Sequence, residues 1–587
     1  MRESLPVWDP TRVFPGPESK EVDAALSAVR ETSARLAREV RGSLAGLGTD
    51  ALVRVIRRYE ECVAGVQRVT SYAEALYALH DQGPAVRALL ERCDTAWAGL
   101  AEELGFFEAE LAACDGAHGP GLGPYAHFAA KVRRSRAGRT ASPERQEVLA
   151  ALAPTGIEGW QRLARDLLGR ITVEIDGERR DIATVLPILY DADVAARTTA
   201  HEAVCRALAP ELELRATALR MIVADGRARA GAGAPDWLAA RRDIDQIDER
   251  EAGRALAQAA ACVPVVHDYY AFKRELAPQE EFTDRDRYAP LAGTGSGGTY
   301  SWPEAVEVVA AAFGDLSPVL AERARHLFGS GAVDARPRPG KQRRAATHAL
   351  PGSDPCVALH FQGRLRDVLT LAHEMGHAVH LSLAARLPLL AAAPPPVLGE
   401  CVALLCEAVA VRRLMADGPA ARRAGLLARW LEDRMVAVGR HAALHSFEAA
   451  LRAPGIRAGE LTADRIGELW TAGQRRLYGP AVELTGGYAM WWSYLGDLFA
   501  QPGSHLAYVH GQVSALALLE RFEADPAAFG ERFVDLLSAG DTAPPAELLA
   551  RAGVHADGPA GAGAAAAVLR ERLDLLRKLT AEAAPAR

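Results

Sequence analysis

Apolar residues recur every three or four positions along most of this chain, which is the spacing of one face of a helix. Alanine, leucine, arginine and glutamate fill these stretches and favour helical structure. The pattern predicts helices over 20–47, 50–79, 84–114, 125–131, 183–190, 195–231, 305–313 and 364–385. Two regions depart from it. Residues 170–179 predict a hairpin with its turn at Asp176-Gly177, and short β-rich pieces within 333–363, such as 356–361, predict a small sheet. The fold class expected is therefore mainly α.

The helix predicted over 364–385 carries two histidines four residues apart, His373 and His377, in an HExxH motif. Residues at this spacing lie on one face of a helix, so both imidazoles can bind a single zinc ion. Glu374 follows the first histidine and can act as general base on zinc-bound water. The alternative, a solvated helix with two histidines by chance, fits poorly with flanks as apolar as these.

A hydrolytic zinc site takes three protein ligands and leaves a position for water. After the break at Pro394-Pro395-Pro396, Glu400 opens a second apolar helix and is the predicted third ligand. Its alternative role is a favourable contact with the helix dipole. Glu407 lies two turns later on the same face, which suits a carboxylate that orients one of the histidines. We expect one Zn²⁺ per chain, although this donor set also suits cobalt or manganese.

Composition excludes several classes of protein. The 587 residues carry a net charge of −7 and 49% hydrophobic residues, without a long basic stripe, so a nucleic-acid partner is not expected. No signal-peptide core or membrane-spanning run is evident. The eight cysteines form no CxxC pair and predict a reduced, cytoplasmic protein. The oligomeric state is not predicted.

The chain resembles the oligoendopeptidase F branch of the thimet-oligopeptidase family of zinc metallopeptidases. The resemblance extends over nearly the whole chain and rests on several short segments. These are Trp8-Asp9, Val13-Phe14-Pro15, and residues 284–291, 300–305, 334–335, 339–341 and 367–374, with the acidic pair Glu400 and Glu407.

The resemblance implies zinc on His373, His377 and Glu400, with Glu374 as base, in a mainly helical fold with a deep channel for short peptides. Asp367 and Glu407 are expected to orient the zinc ligands without binding the zinc themselves. We divide the chain into an N-terminal helical domain of the oligoendopeptidase F type (1–195), a zinc catalytic domain (196–556) and a linker with a last helix (557–587).

The C-terminal motif of the family is partly rewritten here. Relatives place a histidine and several tyrosines in this motif, over the zinc, to bind substrate and stabilise the oxyanion. In this chain Asp497 stands at the histidine position, and the tyrosines become Phe499, Ser504 and Leu506, while Tyr508 remains. We therefore expect Tyr508 to be the oxyanion donor and Asp497, Ser504 and His505 to contact substrate. His510, Tyr488 and Tyr494 stay open as alternatives. His360, where relatives often carry asparagine, is also a predicted substrate contact.

Three functions follow from these observations. The first is a zinc-dependent endopeptidase that hydrolyses short unstructured peptides. The second is an oligopeptidase fold repurposed for amide chemistry on one dedicated small molecule or modified peptide in a biosynthetic pathway, as the rewritten motif suggests. The third, a peptide-binding protein without catalysis, is disfavoured because pure binding does not require Glu374.

Overall fold

The computed structural model describes residues 5–79, 82–114, 119–137, 143–231, 237–292, 294, 298–342, 344–453, 455–555 and 563–583. Helices dominate these residues, as the apolar spacing predicts. In chain order they are α1 Lys20–Val40, α2 Thr49–Leu79, α3 Pro84–Ala113, α4 Ala126–Ala137, α5 Pro143–Leu152, α6 Ile157–Gly169, α7 Ile182–Val185, α8 Val194–Leu208, α9 Leu212–Gly231, α10 Ala239–Asp245, α11 Glu249–Leu276, α12 Trp302–Leu316, α13 Pro318–Gly329, α14 Leu365–Ala384, α15 Leu389–Ala392, α16 Pro396–Leu414, α17 Ala420–Leu451, α18 Ala463–Tyr478, α19 Gly496–Ala500, α20 His505–Ala524, α21 Pro526–Ser538, α22 Pro545–Arg551 and α23 Ala564–Ala583.

Five short strands form two small sheets in the described residues. Strands β1 (Thr172–Ile175) and β2 (Glu178–Asp181) make the predicted antiparallel hairpin, and both residues of its turn, Asp176 and Gly177, have positive φ. The other sheet contains β3 (Val333–Asp334), β4 (Ala346–His348) and β5 (Cys356–Ala358) in the order β3-β5-β4. β5 pairs parallel with β3 and antiparallel with β4, and β4 and β5 pack against α14.

The predicted elements are confirmed with local corrections. The helix expected over 195–231 is two helices, α8 and α9, because Pro210 lies between them and cannot continue a helix. The strand expected over 356–361 covers only Cys356–Ala358 and is the central strand, so the edge beside α14 belongs to β4. α12 begins with a capping box in which Ser301 and Glu304 exchange backbone hydrogen bonds. Residues 559–562, half of the linker predicted over 559–566, lie outside the described residues, and 564–566 belong to α23.

The chain forms two compact units, each built from discontinuous segments. The first unit contains residues 1–137, 297–416 and 514–556, and the second contains 138–296, 417–513 and 557–587. The division into 1–195, 196–556 and 557–587 stays a prediction about the order of domains along the sequence. Within the described residues, no helix has the length and apolarity to cross a membrane.

A candidate metal centre on two helices of the first unit

Helix α14 carries the HExxH motif and begins with a cap formed by its own side chains. Asp367 accepts hydrogen bonds from the backbone N–H groups of Gln362 (2.8 Å) and Arg364 (3.0 Å). Backbone groups at a helix start need such partners, and an acidic residue there also suits the helix dipole. The carboxylate of Asp367 thus forms the helix cap, and its predicted role in supporting the metal ligands stays a prediction.

Helices α14 and α16 lie unusually close together where Gly376 faces α16. A side-chain carbon at position 376 would lie 2.9 Å from the Cα of Ala403 and 3.2 Å from the Sγ of Cys406, which is closer than such atoms pack. The absence of a side chain therefore permits this approach. Gly376 stands directly before His377, so the contact fixes the distance from the histidines to Glu400 on the neighbouring helix.

The three predicted ligands meet at this contact between helices. The Nε2 atom of His373 lies 3.7 Å from one carboxylate oxygen of Glu400, and Nε2 of His377 lies 3.8 Å from the other. The potential ligand atoms of these three residues all lie within 4.8 Å of one another, and no other such group of His, Cys, Asp or Glu occurs in the described part of the chain. The two imidazole rings stand nearly perpendicular, at 80°.

These distances fit a shared ion. They exceed a hydrogen bond, so the donor atoms face a common space without bonding each other. Atoms bound tetrahedrally to zinc at about 2.0–2.1 Å lie about 3.4 Å apart, close to the separations found here. Two imidazole nitrogens and one carboxylate are a donor set that zinc accepts in hydrolytic sites. The side chain of Glu400 is 34% exposed, which leaves an approach for a further ligand.

Glu407 lies on the opposite side of the His373 ring. One of its carboxylate oxygens faces Nδ1 of His373 at 3.7 Å, while Glu400 faces Nε2. Burial disfavours the charged imidazole, but the facing Glu407 and the nearby Glu400 outweigh it and raise the pKa of His373. For His377, burial together with the imidazoles of His373 and His380 lowers the pKa to about 3. His377 is therefore neutral at physiological pH, as a metal-binding imidazole must be.

Glu374, the predicted base, is buried beside β4 and has a partner that the sequence did not reveal. The hydroxyl of Thr347 lies 2.8 Å from Oε2 of Glu374 and 2.9 Å from its backbone carbonyl oxygen. Only 7% of Glu374 is exposed, and this burial raises the pKa of its carboxyl against the opposing effects of His373 and Thr347. A raised pKa makes the carboxylate a stronger base.

His360 also belongs to the first unit. It follows β5, is partly exposed, and its Nε2 lies 2.9 Å from the backbone carbonyl oxygen of Gln342. That contact defines its position after the strand. Its predicted role as a substrate contact stays a prediction.

The rewritten C-terminal motif lies in the second unit, where its members differ in exposure. Asp497 is exposed in the first turn of α19, whereas Ser504 and His505 are buried. Tyr508 stacks on the ring of His441 from α17, with centroids 4.6 Å apart. Nδ1 of the same His441 lies 3.1 Å from Nδ1 of His505. His441 was missed from the sequence because nothing local marks it.

The two imidazoles of this group are neutral, and some of the described buried polar atoms around them lack hydrogen-bond partners. Burial lowers the pKa of His441 to about 3 and that of His505 to about 4, with nearby charges adding to the effect. Among the described residues, the Oγ of Ser504 and the Nε2 of His505 are buried without a hydrogen-bond partner. Buried polar atoms of this kind normally have partners. The structure thus brings His505 and Tyr508 together around His441, while Asp497 stays at the surface.

A family model for "Peptidase family M3" matches residues 189–566, which is more than half of the chain. The chain belongs to peptidase family M3. The matched range includes the HExxH motif, Glu400, Glu407 and the rewritten motif. M3 is a family of metallopeptidases, generally dependent on zinc. The resemblance inferred from the sequence is therefore confirmed.

Several oligopeptidases match part of the chain at low sequence identity. Chromosomal oligoendopeptidase F of Lactococcus lactis subsp. cremoris is 22% identical over 319 residues, covering 54% of this chain and 52% of the relative. Oligopeptidase PepF of Bacillus subtilis is 22% identical over 326 residues, covering 54% and 47%. The aligned part of the chain thus spans about half the length of the curated relatives it matches.

Solved structures with the same fold cover almost the whole chain. One from Chlamydophila abortus has a TM-score of 0.82 at 19% identity and covers 98% of both chains. Oligoendopeptidase F from Enterococcus faecium has a TM-score of 0.69 at 18% identity, covering 95% of this chain and 99% of that one. At these identities the comparison shows the fold, which is mainly α with a small sheet beside the HExxH helix.

Proposed function

We propose that this M3 family member is a zinc-dependent endopeptidase that hydrolyses peptide bonds of short unstructured peptides. The observation that carries the proposal is the convergence of His373, His377 and Glu400, within 4.8 Å of one another, beside the buried carboxylate of Glu374. Bound to these three residues, zinc would supply a Lewis acid that polarises the scissile carbonyl and acidifies water.

Glu374 moves the proton in the proposed reaction. Its carboxylate accepts a proton from the attacking water as the water oxygen bonds to the scissile carbonyl carbon. It then gives that proton to the amine nitrogen as the carbon–nitrogen bond breaks, which returns Glu374 to its starting state. The hydrogen bond from Thr347 holds the carboxylate in one orientation between these two steps.

Glu407 orients His373 in this proposal. A carboxylate on the far nitrogen of a metal-binding imidazole fixes the tautomer and the ring orientation, and it increases the basicity of the ligand. Glu400 faces Nε2 of the His373 ring and Glu407 faces Nδ1 of the same ring, which supports different roles for the two carboxylates.

Strand β4 supports an extended peptide as substrate. It is one of the two edge strands of its sheet, since within the described residues it pairs with β5 alone, and its three residues are partly exposed. An extended peptide can add to such an edge through main-chain hydrogen bonds. Thr347 lies in the middle of β4 and contacts Glu374, so a peptide on this edge would run alongside the base. Such pairing requires an unfolded segment and therefore selects short flexible peptides.

The dedicated-substrate hypothesis receives less support. The relatives with matching sequence are named as oligopeptidases or oligoendopeptidases, and the zinc ligands and base are all present in this chain. The rewritten motif would then alter which peptides are cleaved.

The test compares linear peptides with cyclic peptides of the same sequence, before and after zinc removal by a chelator. We expect cleavage of the linear member of each pair, loss of cleavage on chelation, and recovery when zinc is restored. Equal cleavage of linear and cyclic members would contradict the edge-strand proposal. Full activity after complete zinc removal would contradict the role of the metal.

A further inference from the structure

A second cluster of reactive side chains lies in the second unit, on α8. All eight cysteines of the chain are free, and Cys205 is the one that is not fully buried. His201 precedes it by one helical turn on the same face, and the nearby Asp284 is buried. None of these residues contributes to the metal centre.

The three side chains form a continuous line from carboxylate to sulfur. Oδ2 of Asp284 lies 2.7 Å from Nε2 of His201, and Nδ1 of His201 lies 3.7 Å from Sγ of Cys205. The indole N–H of Trp491 donates to the same sulfur at 3.3 Å, and its ring stacks on the His201 imidazole. The sulfur is therefore faced by two nitrogen groups, a geometry that stabilises a thiolate.

Surrounding charges keep the carboxylate ionised. Burial opposes the charge on Asp284, but His201, Arg287 and the backbone N–H of Thr485 outweigh it and lower the pKa of Asp284. The guanidinium of Arg287 lies 3.9 Å from the Asp284 carboxylate. Burial likewise opposes the charge on His201, but Asp284 and Cys205 outweigh it and raise the pKa of His201. With Nε2 held by Asp284, Nδ1 can present a proton to the sulfur.

We propose that Cys205 is a reactive thiol, activated by His201 and Asp284, that is oxidised by small hydroperoxides. The thiolate sulfur attacks one peroxide oxygen, so a sulfur–oxygen bond forms and the oxygen–oxygen bond breaks. Sulfur loses two electrons and the peroxide gains them. With hydrogen peroxide, the departing hydroxide takes the proton from His201, which yields water and the sulfenic acid of Cys205.

The oxidised sulfur would disturb the segment that follows Thr485. Gly487 lies so close to Cys205 that a side-chain carbon on it would be 2.7 Å from Sγ. An oxygen added to the sulfur on that side has no room, and Trp491 loses its hydrogen bond if the sulfur moves. Gly487 and Trp491 both belong to the 3₁₀ segment Gly486–Tyr494, so an oxygen added on that side would displace this segment.

The test is the rate of sulfenic acid formation at Cys205 with hydrogen peroxide, trapped by dimedone and quantified by peptide mass spectrometry between pH 6 and pH 8. Free glutathione in the same tube is the reference thiol. The thiolate fraction of an ordinary thiol rises about 80-fold from pH 6 to pH 8. We expect the Cys205 rate to change less than about threefold and to exceed that of glutathione at pH 6 by at least about tenfold. A rate that follows glutathione over the whole range would overturn the proposal.

Two variants separate activation from exposure. His201→Gln should restore the steep pH dependence of an ordinary thiol, and Cys205→Ser should remove the trapped peptide. Because His201 is buried, circular dichroism must show that His201→Gln is folded. The wild-type protein unfolded in urea is the second reference, where Cys205 should react like glutathione. A flat pH dependence that persists in urea, or in folded His201→Gln, would also overturn the proposal.

Discussion

The candidate metal centre of the first unit retains the residues that the family resemblance predicts. The rewritten motif of the second unit retains few of them. In the first, His373, His377 and Glu400 stand at separations suited to one ion, and Glu374 has its own partner in Thr347. In the second, the family's histidine position holds the exposed Asp497, while His505 and Tyr508 gather around His441. The residues proposed to hold metal and move protons are all present, and the positions that the resemblance assigns to substrate contacts have changed. We therefore expect the reaction to be retained and the choice of substrate to have diverged.

The largest effect is expected at the metal ligands. His377→Ala removes one of three ligands, and loss of an outer partner alone lowers metal affinity about 10–100-fold. We expect more than a 100-fold loss of zinc affinity and no measurable turnover, with zinc titrated against a competing chelator. Asp497→Asn, in the rewritten motif, is the matched control and should bind zinc like the wild type. Unchanged zinc affinity in His377→Ala would contradict the assignment of His377 as a zinc ligand.

Tyr508 tests whether the second region retains a chemical role. If its hydroxyl stabilises the oxyanion, as the family resemblance implies, Tyr508→Phe should lower kcat about 10²–10³-fold with zinc content unchanged, since one such donor contributes that much. The ring stacks on His441, and phenylalanine preserves the stack. A kcat within twofold of the wild type would assign this residue to packing and leave the oxyanion to other groups.

Glu407 should have an intermediate effect. Glu407→Gln removes the charge that faces Nδ1 of His373, so we expect zinc affinity or kcat to fall about 10–100-fold. Glu400→Gln makes the same chemical change at a proposed direct ligand and should lower zinc affinity further. The order of the two variants in a zinc competition assay is the measurement. The reverse order would exchange the roles proposed for the two carboxylates.

The smallest effect is expected at Thr347. Thr347→Val keeps the shape of the side chain and removes one hydrogen bond to Glu374, which is worth about 0.5–1.5 kcal/mol. This corresponds to a kcat reduced about two- to tenfold at full zinc occupancy. Steady-state kinetics with metal analysis on the same sample measures both. Loss of zinc in this variant would show that Thr347 supports the ligands and not the base.

The helices and the grouping of the candidate metal ligands could be predicted because their signals are local. The spacing of His373 and His377 places both on one face of a helix whatever the rest of the chain does. Glu400 required only that a second apolar helix follow a proline break. The helix expected over 195–231 failed at Pro210, a local signal that the alanine-rich periodicity on either side obscured.

Partners that are distant in sequence could not be predicted. Thr347 contacts Glu374 because β4 pairs with β5 in one register and both strands pack on α14. No local pattern in the sequence indicates that register. His441 meets His505 through the packing of two separate helices. The close approach of α14 and α16 at Gly376 has a weak signal in the sequence. A glycine inside an otherwise good helix often marks a place where another element packs closely.

The most direct test of the account is turnover of a mixed library of short peptides by the zinc-loaded wild type and by Glu374→Gln, with zinc counted in both samples. We expect one zinc per chain in each, many cleaved peptides with the wild type, and none with Glu374→Gln. Cleavage by Glu374→Gln at the wild-type rate would contradict the assignment of the base. No cleavage by a wild type that holds one zinc per chain would contradict the proposal that this chain is a peptidase of short peptides.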